Sequence, residues 1–210
     1  MFALSLLAAT LAALGTPADW HSLQFRRIPP VETQLTEGRL TLKVQSSAGG
    51  LVRQLPKGTR VQSLIVTGSV QGELKVDADR LWQKGHEDAY LRVGLIVAGG
   101  RPLGTLERLM APAWIVTMDE VLCADGRAPS AIHNQLLVPH AAWIGQQRPN
   151  PHMAQLVDHM VATPDANGRF TMRVDLPKPL VLVGLWLMAD GDDSGSTFTV
   201  TVDSLELSAP

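Results

Sequence analysis

The sequence predicts an all-β protein (mainly), an antiparallel jelly-roll β-sandwich with a few short helices in a central insertion. Three observations carry this. Apolar and polar residues alternate strictly in several segments, which is the pattern of a half-buried strand. Turn dipeptides separate those segments at Glu37-Gly38, Lys57-Gly58, Asn167-Gly168 and Asp190-Gly191. Helical spacing is confined to the middle of the chain. Many short strands with few helices fit two packed sheets.

The chain opens on an apolar run from Phe2 to Leu14, followed by Gly15, Thr16, Pro17 and Ala18 and a polar start at Asp19. Its length and its small residues are those of an export signal, and it is short for a membrane span. No Lys or Arg precedes it, a departure from the usual signal. The reading is a signal peptide over 1–18 and one β-sandwich domain over 19–210, located in the periplasm or secreted, with no transmembrane segment in the mature chain. A buried N-terminal helix, or an export signal whose true start lies upstream, is the alternative for the apolar run.

Strands are expected over 23–28, 50–55, 61–70 and 135–141. Leu40, Leu42 and Val44 alternate with Arg39, Thr41 and Lys43, and Leu91, Val93, Leu95 and Val97 share one face. Phe170, Met172, Val174 and Leu176 form another such face. The run 180–188 is apolar except at Gly184, so it should be buried on both faces. In the last strand Phe198, Val200 and Val202 face one way, and then Leu205 and Leu207 take over out of phase. One extra residue near Asp203 and Ser204 explains the slip, which predicts a β-bulge.

The region 101–163 reads as a helix-containing insertion. Leu106, Leu109 and Met110 suggest a helical turn before Pro112. Thr117 with Glu120 resembles a capping box for a helix ending near Gly126. Asn150 and Pro151 look like a helix start, followed by Met153, Leu156, Val157 and Met160 at helical spacing.

Composition narrows the function. Hydrophobic residues are 45% of the chain and charged residues 18%, enough for a core and too few charges for a disordered chain. Net charge is −2, so no basic stripe is available for phosphates and nucleic acid is not an expected partner. Cys123 is the single cysteine. It allows no intrachain disulfide and is expected to be a buried, inert thiol.

The sharpest local feature is Asp190-Gly191-Asp192-Asp193-Ser194-Gly195-Ser196. Crowded carboxylates repel unless solvated or bound to a cation, and hard oxygen ligands suit Ca²⁺. Asp190, Asp192 and Asp193 are therefore candidate metal ligands, joined by Asp88 if its loop lies at the same end. A solvated hairpin turn accounts for the same residues. Of the five tryptophans, Trp186 lies in the apolar run and is expected in the core. Trp82, Trp114 and Trp143, with His140 nearby, are candidate ligand-binding residues, with core packing as the alternative. His152 and His159 would share a helix face two turns apart, too far for one ion. His133 and His140 would face opposite ways on a strand. No Gly-x-Ser-x-Gly elbow, phosphate-cradling loop or His-Glu-x-x-His occurs, so no catalytic residue is assigned.

Four stretches carry a resemblance. They are Trp20 to Phe25 with the turn Glu37-Gly38, Glu87 to Val93, Leu185 to Asp193, and Val200 to Leu207. Together they resemble exported bacterial jelly-roll domains of unknown function, of the galactose-binding-like and carbohydrate-binding-module type. The resemblance covers about a third of the chain and omits 101–163. It implies the sandwich fold and only weakly a sugar-related role, since fold alone does not fix function. The leading expectation is a non-catalytic binding domain for a glycan or other cell-envelope ligand. The alternatives are an envelope hydrolase acting on polysaccharide and a structural subunit of an exported assembly.

Overall fold

A computed structural model describes residues 10–36, 38–81, 83, 85–150 and 153–210. Among them twelve strands run β1 (Thr10–Ala12), β2 (His21–Gln24), β3 (Glu32–Thr36), β4 (Arg39–Gln45), β5 (Ala48–Gln54), β6 (Arg60–Glu73), β7 (Ala89–Ala98), β8 (Pro129–Leu137), β9 (Gln147–Asn150), β10 (Met153–Ala162), β11 (Arg169–Asp190) and β12 (Thr197–Ser208). Two α-helices, α1 (Thr105–Met110) and α2 (Ala113–Leu122), lie between β7 and β8. None of the described helices is long and apolar enough to cross a membrane.

The strands form two layers. The first layer orders β3, β4, β12, β6 and the first half of β11, with β1 added beside the far end of β12. The second orders β2, β5, the second half of β11, β7, β8, β10 and β9. Strands β4, β5, β6 and β7 alternate between layers, β8 stays beside β7, and β12 returns to the first layer between β4 and β6. That is jelly-roll connectivity. Every pair among the described strands is antiparallel except β10 on β8.

β11 joins the layers. Its residues 169–181 pair with β6, and from Leu182 it pairs with β7. The pairing with β6 breaks between Asp175 and Leu180, across Pro177 and Pro179. A proline has no N–H for the ladder, so the strand bends there instead of continuing flat.

The alternating segments supply the core between the layers. Leu40, Leu42, Val44, Val66, Met172, Phe198, Val200 and Val202 point inward from one side, and Leu91, Val93, Leu95, Leu185 and Leu187 from the other. The expected bulge is present: the β12–β6 register shifts between Val202 and Ser204, and Leu205 and Leu207 then re-enter the core. A second core covers the outer face of the second layer, where Val52, Ile96, Ile132, Leu156 and Trp186 pack under Met118 and Leu122 of α2. This is why the run ending at Met188 is apolar at consecutive positions: both its faces are covered.

Residues 10–18 of the expected export segment have places against the sandwich. Leu11 pairs with Leu207, Ala13 and Leu14 are buried, and Trp20 Nε1 donates to the Leu14 carbonyl at 2.6 Å. Residues 1–9 lie outside the described residues, as do Glu37 and His152.

Two helical expectations are corrected. The stretch from Met153 is the strand β10, parallel to β8. Leu156, Asp158, Met160 and Ala162 are its buried alternating set. Asp158 breaks the apolar alternation in the sequence, which left only a helical spacing to read. Buried partners make an aspartate acceptable there. The helix expected from Thr117 starts earlier, at Ala113 after Pro112, and ends at Leu122. The α-helices described in 101–163 are thus limited to 105–122, with a single 3-10 turn at Ala141–Trp143, and β8 is an integral strand of the second layer.

Gly94 on β7 shows how tightly the outer face is packed. A Cβ there would lie 2.0 Å from Trp186 Cδ1 and Nε1. Gly94→Ala is expected to displace the indole and to lower stability by about 1–3 kcal/mol in urea titration. An unchanged unfolding midpoint would mean that the indole moves without cost.

Candidate functional site

Where α2 stops covering the outer face of the second layer, polar side chains take over from adjacent strands. Trp186 on β11, Asn134 on β8, Asp158 on β10 and Arg92 on β7 form a hydrogen-bonded chain. Trp186 Nε1 donates to Asn134 Oδ1 at 2.6 Å, and Asn134 Nδ2 donates to Asp158 Oδ1 at 2.7 Å. Arg92 Nη1 lies 3.5 Å from Asp158 Oδ2, and its Nη2 donates to Asp190 Oδ2 at 3.1 Å and to the Glu87 carbonyl at 2.5 Å. Asn134, Asp158 and Arg92 are all buried. Burial by itself would lower the Arg92 guanidinium, but Asp158, Asp190 and Asp88 outweigh it and hold the group above its ordinary value.

The acidic hairpin sits at the end of this chain. Asp88 is buried and its Oδ2 accepts from the backbone N–H of Ser194 at 2.8 Å and from its hydroxyl at 2.5 Å. The Ser194 and Ser196 hydroxyls are 2.6 Å apart, and the Lys75 N–H donates to Ser196 Oγ at 2.8 Å. Gly195 takes the left-handed conformation, φ 61°. The segment is therefore an ordered turn. It also brings Asp88, Asp190 and Asp192 together, one carboxylate oxygen of each within 4.8 Å of the others. Burial, then Asp88 and Asp192, raise the Asp190 carboxyl well above the usual range, against the pull of Arg92. Asp193 is exposed at the rim. Such an all-oxygen set could hold a hard cation such as Ca²⁺.

Aromatic rings wall the groove beside the carboxylates. Trp114, at the start of α2, is half-buried and its ring lies 5.8 Å from that of Phe25 and 6.0 Å from that of Trp186. The groove has a volume of about 330 Å³, and Glu87, Arg148, Asn150 and Asp193 contribute its polar rim. The Glu87 carboxylate pairs with Arg148.

The other sequence candidates lie elsewhere. Trp143 is buried, its Nε1 donating to the Ala78 carbonyl at 2.9 Å, with the His140 ring edge-on at 4.9 Å. His140 Nε2 meets the Val76 carbonyl at 2.7 Å. These two residues pin the loop after β6 and open on no part of the groove. Trp82 lies outside the described residues. Cys123 is half-buried rather than buried, and its thiol is 3.3 Å from Asp119 Oδ1. Burial and that carboxylate push it up to about 12, so it is held as the unreactive thiol. Sequence reading missed Arg92, Asn134 and Asp158. The available signal was a lone charge inside each of two apolar strands.

No protein-family model matches the chain, and none of the curated proteins matches it. Among solved structures it is similar to a low-affinity xylan-binding module from the gut symbiont Roseburia intestinalis, at 8% identity and a TM-score of 0.33, over 96% of this chain and 94% of that one. It is also similar to an exo-β-agarase, at 12% identity and a TM-score of 0.34, over 96% of this chain and 25% of that one. The chain thus spans a quarter of the length of the agarase.

Removing Arg92 leaves the buried Asp158 and the half-buried Asp190 without their cation. Arg92→Leu is expected to lower stability by about 3–5 kcal/mol in chemical denaturation. A loss below about 1 kcal/mol would show that the carboxylates take up protons or water without penalty.

Proposed function

We propose that the protein is an exported, non-catalytic binding module that takes a glycan in the groove between Trp114 and the Asp190 hairpin. The observation that carries this reading is a half-exposed indole beside fixed planar polar groups. A pyranose offers an apolar face for the ring and a rim of hydroxyls for carboxylate, amide and guanidinium partners. A groove of about 330 Å³ falls within the range of small-molecule sites. The export part of the reading is supported by the apolar run from Phe2 to Leu14.

Two features favour binding over the alternatives. Asp88 and Asp190 each commit an oxygen to Ser194 or Arg92. They support the hairpin instead of flanking an open position for a scissile bond. For an assembly subunit an apolar edge strand would be needed, yet β3 reads Glu-Thr-Gln-Leu-Thr, β2 reads His-Ser-Leu-Gln, β9 carries Pro149 and the first-layer half of β11 carries Pro177 and Pro179. Polar, proline-bearing edges resist strand addition.

A glycan array on the full chain is expected to give a polysaccharide hit, and Trp114→Ala to weaken it about tenfold or more with the circular dichroism spectrum kept. Silence across the array, or full binding by the variant, would overturn the reading.

Calcium is the second part of the proposal. Asp88, Asp190 and Asp192 would hold the ion and relieve their mutual repulsion. Millimolar Ca²⁺ is expected to raise the melting temperature over that in chelator, and Asp192→Asn to remove the difference. Identical melting in both conditions would count against an ion there.

A further inference from the structure

A second cluster lies on the opposite face of the second layer, away from the acidic groove. His133 on β8 and His159 on β10 both point between the layers, at the open edge of the sandwich. They are brought together by the parallel pairing in which Val157 opposes His133 and His159 opposes Gln135. His133 Nδ1 and His159 Nε2 are 3.4 Å apart, and the ring centroids are 5.6 Å apart. The rings are stacked at 28°, and the two nitrogens share a hydrogen bond whose donor is set by the tautomer. Both imidazoles are half-buried.

We propose that this pair binds a divalent transition metal ion of the zinc or copper class. Two nitrogens bound to zinc at about 2.0–2.1 Å and at the tetrahedral angle lie about 3.3–3.4 Å apart. The observed separation matches that bite, and an ion would replace the N–H···N contact once both rings turn their lone pairs toward it. Imidazole nitrogens prefer Zn²⁺, Cu²⁺ or Ni²⁺ to the hard cations suited to the carboxylate cluster. Metal binding needs neutral imidazole. Burial lowers both rings from their usual range, with His133 adding to the effect at His159.

The surroundings leave room for the rest of the coordination. The pair lines a groove of about 570 Å³ between β8, β10 and the bend of β11. Gln135 and Gln147 share that groove and carry amide oxygens, with water as the remaining donor. Lys178 lies on the same wall and opposes a bound cation. Two imidazoles with such partners imply affinity in the micromolar range, not the tight binding of a closed structural site. The ion would tie β10 to β8 at the one parallel junction among the described strands.

Isothermal titration of the full chain with Zn²⁺ in chelator-free buffer tests this. One ion is expected to bind in the micromolar range, and His133→Gln and His159→Gln are each expected to weaken it at least tenfold. His21→Gln and His86→Gln should leave it unchanged. Because a variant in the groove can perturb the fold, Cu²⁺ electron paramagnetic resonance on the unaltered protein gives an independent readout, with coupling to two imidazole nitrogens expected. Absence of micromolar binding, binding that survives both substitutions, or a Cu²⁺ spectrum without two-nitrogen coupling would overturn the proposal. None of these outcomes depends on glycan binding.

Discussion

β11 belongs to both layers, and that continuity organises everything else. Its first half pairs with β6 and its second half with β5 and β7. The strand can change sheets because Pro177 and Pro179 end the first ladder. The Leu176 carbonyl at the bend accepts from the Gln62 side chain, so the interruption is not left without hydrogen bonds. A crossing strand fixes the two sheets relative to each other through covalent bonds, with no disulfide available to do so. It also sets where chemistry can occur. The bend forms one wall of the groove holding His133 and His159, and the far end delivers Asp190 to Arg92.

The second consequence is an outer face that is neither solvated nor wholly apolar. Helix α2 covers part of it with Met118 and Leu122, and the rest is closed by Arg92, Asn134, Asp158 and Trp186. Such a buried charge network costs desolvation that its Coulomb energy only partly offsets. Apolar residues would serve stability as well or better. What the network adds is fixed position: it holds planar donors and acceptors under a groove and anchors the acidic hairpin beside them. Rigid placement of polar groups is what recognition of a hydroxyl-rich ligand requires.

The hairpin is both an ordered turn and a carboxylate cluster, because Asp88 organises the turn through Ser194 and thereby stands beside Asp190 and Asp192. The negative charge so concentrated is answered on one side by Arg92.

Much of the fold was legible in the sequence because burial on one face of a strand imposes a two-residue period. That rule placed the alternating segments, the two-sided run before Met188 and the bulge after Val202. Crowded carboxylates marked the acidic hairpin as a site candidate, and a tryptophan outside the apolar run marked Trp114. The two-residue rule failed at β10, where Asp158 broke the period, and the same residue explains why the buried network was missed. A charge in a core is tolerated only if its partner is close, and Arg92 is distant in sequence. The pairing of His133 with His159 was hidden for a related reason, since it depends on β10 being a strand parallel to β8. The sequence by itself determined which faces are apolar and where the chain turns, because those follow from local transfer free energy and backbone sterics. Only the tertiary structure decided which polar groups meet, because strand order and register bring together residues that no local pattern connects.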